Sequence, residues 1–274
     1  VLVLGVTNPQ NVKYAVENNV SLTCPSKEWL EKCLEEMESI EGKLKIHVKI
    51  DTGMGRIGTS DKDELVKIDK LLLSEKIDFE GIFSHYSNAD GSDNNYDDYQ
   101  TKNFDERIKL FTHKPKYIHI GNSASTVKYS DRQDQYNMTR LGISLYGCYP
   151  SENIEKLDKI NLDPVVSLVS KVTHVKKFLK GEKLGYGVSY EAKEDEYIAT
   201  VPIGYADGIL RRAQGFKIKV GSEDCEIVGR VCMDQLMVRC SENIKVGDDV
   251  LIFGENNGQK ISVDDFATYQ DTIS

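Results

Sequence analysis

Short apolar segments alternate with amphipathic segments over the first half of the chain, and this alternation limits the possible folds most strongly. The apolar segments have the length and composition of buried strands, whereas the segments between them repeat apolar residues at helical spacing. Such a repeat is typical of a parallel sheet covered by helices. We expect strands at Val1–Val6, Val20–Cys24, Leu44–Asp51, Phe79–Ser84, Tyr117–Ile120 and Met138–Tyr146, and helices near Asn11–Asn18, Glu28–Ser39, Asp63–Ser74 and Tyr99–Phe111.

Two parallel architectures fit this alternation, a doubly wound open sheet and a barrel. No Gly-x-Gly-x-x-Gly motif opens a helix after the first strand, which disfavours the doubly wound sheet. Six predicted strands are two short of a complete eight-stranded barrel, which takes about 250 residues. The chain also begins at Val1, inside an apolar run. We therefore expect a TIM-like α/β barrel that is incomplete, with about six of eight βα units, in a fragment of a longer protein.

The pattern changes near residue 160, where β-branched segments separated by glycine-containing turns replace the helical patterns. Closely spaced strands of this kind predict antiparallel pairing. The sequence thus predicts a partial barrel over residues 1–160 and a mostly antiparallel β domain over residues 161–274. The expected strands are Val165–Val175, Tyr197–Ile203, Phe216–Val220, Glu226–Val231, Leu236–Arg239 and Asp249–Phe253.

Composition narrows the partners. A formal net charge of -9 disfavours nucleic acid and anionic membranes. No apolar run approaches the roughly 18 residues that a membrane span needs. The six cysteines and five histidines are scattered without metal-ligand spacing, so we expect no metal site and reduced thiols in a cytoplasmic protein.

The segment His47–Gly58 begins as a strand and ends in a glycine-rich loop that presents Arg56. Glycines let the backbone turn sharply and approach a ligand closely, and arginine binds carboxylates and phosphates with a rigid fork of donors. Barrel enzymes place their chemistry in loops that follow the strands. This segment therefore predicts part of an active site.

Pro202–Gly208 and Gly229–Gln235 are the most specific of six motif segments that together span nearly the whole chain. In order, these segments resemble those of the alanine racemases, a fold-type III pyridoxal-phosphate family. The resemblance implies interconversion of L- and D-alanine by two bases, in a homodimer whose active site is shared between subunits. Its cofactor, pyridoxal 5'-phosphate, takes up the charge left when the α-proton leaves. The segments are Lys49–Gly58, Ser84–Asp90, His119–Thr126, Asn137–Gly147, Gly185–Tyr190 with Pro202–Gly208, and Gly229–Gln235.

The resemblance implies the catalytic residues. Tyr186 matches a tyrosine base contributed by the partner subunit, and His85 and Arg140 match the residues whose positive charge favours its phenolate. Arg140 also matches the arginine that faces the pyridine nitrogen, which stays unprotonated because arginine does not readily accept a proton. The alternatives are that Tyr186 is a buried aromatic that positions a loop, and that Arg140 forms a surface ion pair.

Other matches concern binding. Asn122, Ser123, Gly142 and Ile143 match the phosphate site, although Ser123 alone is equally compatible with a helix cap. Arg56 matches an arginine that orients the cofactor's phenolic oxygen and the substrate carboxylate.

Lys49 matches a lysine that is carbamylated in many members, and its alternative is a solvated strand lysine. Cys232, Met233 and Tyr205 match residues beside the substrate, where apolar Met233 favours alanine over serine. The entry corridor corresponds to Asp90, Arg211 and Arg230, together with Tyr205, which are otherwise ordinary surface polar residues and a packed tyrosine.

The family's cofactor lysine lies in a Lys-x-x-Ala-Tyr-Gly segment, and the 274 residues contain no such segment. We therefore expect the chain alone not to racemise amino acids. Three alternatives remain open: a serine or broad-specificity racemase, a non-catalytic racemase-like protein, and a decarboxylase of basic amino acids. The last is disfavoured because Gly185–Tyr190 and Gly229–Gln235 follow the racemase pattern.

Overall fold

The computed structural model describes residues 1–130 and 136–274, which divide into two compact units. Unit 1 comprises Val1–Leu145 and Tyr149–Leu162, and unit 2 comprises Tyr146–Cys148 and Asp163–Ser274. Each unit has its own cluster of buried apolar side chains, as expected of a domain.

Unit 1 contains a parallel sheet whose five strands pair in chain order. Helices follow the strands, which is the arrangement of a TIM-like half-barrel and confirms the predicted α/β architecture. The strands are β1 (Leu2–Val3), β2 (Ser21–Cys24), β3 (Leu44–Lys49), β4 (Ile77–Phe83) and β5 (Tyr117–His119). The helices are α1 (Val12–Glu17), α2 (Lys27–Glu36), α3 (Lys62–Leu71), α4 (Asn95–Ile108), α5 (Ser123–Lys128) and α6 (Glu152–Glu155), and shorter 3₁₀ turns occur at Pro9–Asn11, Met37–Ser39 and Ile143–Tyr146.

Local sequence explains these elements. All four residues of β2 are buried, as is usual for a strand inside a parallel sheet. Helix α3 begins after Asp61, whose side chain accepts a hydrogen bond from the Asp63 backbone N–H. Its Leu65 and Ile68 side chains share one face and are fully buried, which explains the apolar spacing in the sequence.

The predicted strand at Met138–Tyr146 is wrong. Within the described part of the chain, 138–142 form no strand, and Ile143–Tyr146 is a 3₁₀ helix. The backbone N–H of Arg140 donates to the Gly121 carbonyl and that of Gly142 to the Ser123 hydroxyl. These backbone groups therefore bond to loop and side-chain partners instead of a neighbouring strand. The described residues of unit 1 form five strands where six were predicted.

Unit 2 is mostly antiparallel, as predicted. Its elements are β6 (Leu168–Lys171), β7 (His174–Phe178), β8 (Lys183–Leu184), β9 (Tyr190–Glu191), β10 (Glu196–Val201), β11 (Lys217–Val220), β12 (Glu223–Val228), β13 (Leu236–Cys240), β14 (Asp249–Asn256), β15 (Gln259–Ile261) and α7 (Val263–Tyr269), with 3₁₀ turns at Tyr186–Val188, Tyr205–Asp207 and Arg211–Ala213. The main sheet has eight strands in the order β15–β14–β11–β12–β13–β10–β7, with β6 also paired to β14, and β8 pairs with β9 separately. The single strand predicted at Val165–Val175 is instead two strands, β6 and β7.

Within residues 1–130 and 136–274, no helix has both the length and the apolar character needed to cross a bilayer.

Candidate active site

The carboxyl ends of three neighbouring strands form one edge of the parallel sheet in unit 1. Lys49 of β3 pairs in register with Phe83 of β4, and Phe83 pairs with His119 of β5. Lys49 Nζ lies 5.5 Å and Arg140 Cζ 5.3 Å from the centre of the Phe83 ring. The edge therefore gathers two cationic side chains over one aromatic ring, a favourable arrangement for cations.

The Arg140 side chain makes four hydrogen-bond contacts at this edge. Its Nη2 donates to the carbonyls of Ser84 at 2.8 Å and Ile120 at 3.1 Å, and lies 3.1 Å from His85 Nδ1. Its Nη1 lies 2.5 Å from His119 Nδ1. Burial, and then the charge of Arg56, lower the pKa of Arg140 to about 10, so it remains a cation at neutral pH. Arg140 is thus fixed by backbone carbonyls and histidine rings, rather than by a surface ion pair with the described carboxylates.

Both histidines beside Arg140 are neutral. Burial, reinforced by the Arg140 charge, lowers the pKa of His85 to about 4 and that of His119 to about 2. Because a guanidinium can only donate hydrogen bonds, Nδ1 of each ring must accept. Each ring therefore carries its proton on Nε2.

The glycine-rich loop after β3 is shaped by its own sequence. The Asp51 carboxylate accepts hydrogen bonds from the N–H groups of Gly53 at 2.9 Å and Gly55 at 3.1 Å. Gly58 has a φ of +96°, and a Cβ there would lie 2.6 Å from the Lys49 carbonyl oxygen, so only glycine fits. The loop leaves Arg56 exposed, close enough for its charge to lower the pKa of His85 and Arg140.

Lys49 is not a solvated strand lysine. Its side chain is 2% exposed, and its Nζ donates to the Ile50 carbonyl at 3.0 Å. Burial lowers its pKa to about 8, against the opposing effect of Asp51. A substantial share of this amine is therefore neutral and nucleophilic near pH 8.

A hydroxyl cluster lies where 142–144 meet the start of α5. Ser123 Oγ accepts from the Gly142 backbone N–H at 2.8 Å and the Ser144 N–H at 3.5 Å. Asn122 caps α5 through a reciprocal pair of hydrogen bonds with Ser125, so the cap predicted at Ser123 is one residue earlier. The Ser144 hydroxyl is buried and has no partner among the described residues, which costs free energy. The Ser123 and Ser144 hydroxyls donate to no acceptor among the described residues, so these two groups fit an anion such as a phosphate.

Unit 2 brings five of the predicted residues together in paired loops. The Tyr205 N–H donates to the Cys232 carbonyl at 2.9 Å, and the following N–H donates to the Met233 carbonyl at 2.8 Å. A Cβ at Gly187 would lie 2.8 Å from the Arg230 guanidinium, which therefore lies against the loop that carries Tyr186. Tyr186 is 69% exposed and Met233 58%. Tyr186 is therefore not the buried aromatic of the alternative interpretation.

Two predicted corridor residues lie apart from these clusters within their own units. The exposed Asp90 is held by its backbone carbonyl, which accepts from Ser151 Oγ at 2.7 Å. Exposed Arg211 begins the 3₁₀ turn Arg211–Ala213.

Sequence reasoning missed several residues at the edge in unit 1. Gln100 of α4 is fully buried, and its Nε2 donates to the His85 carbonyl at 2.9 Å and to Thr52 Oγ1 at 3.2 Å. Thr52 in turn contacts Ser84 Oγ at 2.7 Å. Gln100 thereby joins the two loops that carry His85 and Arg56. The sequence signal that could have revealed Gln100 is a polar residue on the apolar face of a helix.

Comparison with known proteins identifies the family. Residues 1–150 match the model "Alanine racemase, N-terminal domain" and residues 165–274 match "Alanine racemase, C-terminal domain". An alanine racemase of Lactobacillus gasseri is 41% identical over 277 residues, covering 100% of this chain and 73% of the relative.

Solved structures agree with this. The alanine racemase of Bacillus anthracis with bound L-Ala-P has a TM-score of 0.92 at 38% identity, over 99% of this chain and 71% of that one. A histidine racemase from Leuconostoc mesenteroides has a TM-score of 0.91 at 30% identity, over 99% and 73%. This chain belongs to the alanine racemase family.

Proposed function

We propose that this chain carries the pyridoxal-phosphate site of an alanine racemase that interconverts L- and D-alanine. The observation that carries the proposal is the half-buried Arg140, held as a cation between two neutral histidines. It lies in a chain that matches an alanine racemase over its whole length. A guanidinium in that position would hold the cofactor's ring nitrogen without protonating it.

The residues present fit the cofactor. Ser123, Gly142, Ile143 and Asn122 would hold the phosphate, with the unpartnered Ser144 hydroxyl as a further ligand. Exposed Arg56 would orient the phenolic oxygen and the substrate carboxylate. When bound, the cofactor supplies an electron sink for the charge left by the α-proton.

Tyr186 acts as one of the two bases. A phenol has an ordinary pKa near 10, so nearby positive charge is needed to favour the phenolate. His85 is neutral, so that charge belongs to Arg140, and the His85 Nε2–H is left to donate to the phenolate. In the family the second base is the cofactor lysine, which lies in a Lys-x-x-Ala-Tyr-Gly segment. This sequence contains no such segment. We expect the chain alone to exchange the α-proton without racemising the substrate.

The site is shared between two subunits in this proposal. Tyr186, Tyr205 and Met233 are exposed in unit 2 at 69%, 44% and 58%, and exposed apolar groups of this kind are typical of interaction surfaces. They would complete the site of a second copy of the chain.

All six cysteines are free thiols, which supports a cytoplasmic location.

Substrate preference tests the proposed function. The full chain with pyridoxal phosphate in D₂O should exchange the α-proton of alanine faster than that of serine or histidine, measured by ¹H NMR. Replacing Met233 with Asn should raise the serine-to-alanine ratio about tenfold, because one group in an apolar pocket contributes roughly 10- to 200-fold. Val246→Asn, at a similarly exposed position in unit 2, should leave the ratio unchanged.

The histidine racemase neighbour makes histidine the second candidate substrate, and faster exchange of histidine would overturn the alanine assignment.

Lys49 is proposed to carry a carbamate. Its neutral amine attacks the carbon of CO₂, an N–C bond forms, one C=O π bond breaks and leaves its electron pair on oxygen, and one proton leaves the nitrogen for solvent. Because the pKa is about 8, the neutral share rises from pH 7 to pH 9 at constant dissolved CO₂. The carbamate would place a negative charge beside Arg56 and Arg140.

Incubation with ¹³CO₂ should give one carbamate ¹³C signal that Lys49→Gln removes and Lys43→Gln retains. Lys49→Gln should also slow exchange about tenfold, since a hydrogen bond to a charged group contributes about 1.5–3 kcal/mol. A wild-type spectrum without a signal that depends on Lys49 would contradict the assignment.

A further inference from the structure

A line of polar side chains runs from Arg140 into the interior of unit 1. Arg140 Nη1 lies 2.5 Å from His119 Nδ1, and His119 Nε2 lies 2.9 Å from His47 Nδ1. His47 Nε2 then lies 3.0 Å from Glu80 Oε2. His119 is 0% exposed and His47 1%, so water does not compete for these bonds.

The hydrogen bonds in this line can run in only one direction. Arg140 must donate, so His119 accepts at Nδ1 and carries its proton on Nε2. That proton is donated to His47 Nδ1, which places the His47 proton on Nε2. The Glu80 carboxylate is the final acceptor. The arginine at one end and the carboxylate at the other therefore fix both tautomers.

The backbone is shaped to hold this line. The pairing of β3 with β4 shifts by one residue between Ile46, which faces Phe79, and His47, which faces Gly81. Glu80 is the extra residue of this bulge, and bulges re-aim side chains. A Cβ at Gly81 would lie 2.2 Å from His47 Nδ1, so the absent side chain makes room for the ring.

Further groups hold the Glu80 carboxylate. Ser21 Oγ donates to Oε2, and Lys45 Nζ lies 3.5 Å from Oε1. Burial acts to raise the pKa of Glu80, but the hydrogen bonds from Ser21 and His47 together outweigh it and lower that pKa. Burial lowers the pKa of His47 even though Glu80 opposes it, with smaller effects of Arg140 and Asp78.

We propose that His47 and Glu80 are positioning residues for Arg140, acting through His119. The carboxylate polarises both imidazoles and strengthens each bond along the line. His119 Nδ1 thus becomes a better acceptor and holds Arg140 Nη1 in place, so that the guanidinium keeps one orientation toward the cofactor ring. The positioning of Arg140 toward the cofactor rests on the proposed function. The tautomers of His47 and His119 do not depend on it.

Nitrogen NMR of the full chain labelled with [¹⁵N]histidine, with pyridoxal phosphate added, tests the line directly. The proposal predicts that His47 and His119 are both neutral, with the proton on Nε2 and with Nδ1 unprotonated. A proton on Nδ1 of either ring in the wild-type chain would overturn the proposal, and this result needs no variant.

Glu80→Gln then tests the role of the carboxylate. It should change the His47 ring nitrogen shifts and lower the saturated exchange rate about tenfold, since a hydrogen bond to a charged group contributes more than one to an amide. The alanine concentration for half-maximal rate should stay unchanged, because substrate binding does not use this residue. Glu75→Gln makes the same change at an exposed position just before β4 and should change neither measurement.

The outcomes separate the two proposals. Wild-type tautomers as predicted, without α-proton exchange on any amino acid, would refute the proposed function and leave the hydrogen-bonded line in place. Exchange on alanine that Glu80→Gln leaves unaltered would refute the positioning role alone.

Discussion

Replacing Tyr186 with Phe is expected to slow α-proton exchange on alanine by about 10³-fold, because general acid–base catalysis contributes about 10²- to 10⁴-fold. The side chain is 69% exposed, so loss of its hydroxyl should leave the thermal unfolding midpoint unchanged. Exchange is measured by ¹H NMR in D₂O with pyridoxal phosphate and L- or D-alanine.

Tyr14→Phe is the matched control, because Tyr14 is 67% exposed and lies in α1. It should exchange at the wild-type rate. Wild-type exchange by Tyr186→Phe would remove this tyrosine from the mechanism.

Replacing Arg140 with Lys is expected to affect both stability and exchange. An ammonium cannot reach the Ser84 and Ile120 carbonyls and both histidines as the guanidinium does. Unsatisfied buried acceptors cost about 1–3 kcal/mol each, so the free energy of unfolding should fall by about 2–4 kcal/mol. Exchange should fall by about 10²-fold, since the ring nitrogen loses a fixed neighbour and the charge beside Tyr186 moves.

Arg239 of β13 forms an exposed ion pair with Glu226, and Arg239→Lys serves as the control. Surface pairs contribute about 0–1 kcal/mol, so this variant should behave as wild type. If Arg140→Lys retained both stability and exchange, the central position of Arg140 would be refuted.

Mixing the two variants tests the shared site. If Tyr186 serves the partner's Arg140 cluster, random exchange of subunits between Tyr186→Phe and Arg140→Lys chains restores about one quarter of the sites. Recovery to that extent supports a shared site in a homodimer, and a mixture no faster than its components contradicts it.

The sequence predicts the strands and helices of unit 1 best where the local residue pattern agrees with the packing of the complete fold. The fully buried β2 and the apolar face of α3 follow from spacing alone. The strand prediction at Met138–Tyr146 rests on its being a short segment with apolar residues that follows helical patterns. Its backbone instead bonds to Gly121 and Ser123, and no periodicity reveals such partners.

The residues of the candidate site also differ in how far the sequence alone predicts them. Arg56 and Lys49 are recognisable because they lie in one glycine-rich segment. His119, His47, Glu80 and Gln100 act through contacts between residues far apart in the sequence, such as the 72 positions that separate His47 from His119. The protonation of Lys49 and His85 likewise depends on burial and on Arg140, which only the assembled fold determines.

The stereochemical course of exchange tests the central claim most directly. The full chain, pyridoxal phosphate and each alanine enantiomer are incubated in D₂O, and the product is separated on a chiral column and analysed for deuterium. A single base, Tyr186, returns a deuteron to the face from which the proton left, so we predict α-deuterated alanine of unchanged configuration from one enantiomer. Inverted alanine would show a second base within these 274 residues, and the absence of exchange with both enantiomers would contradict the proposed function.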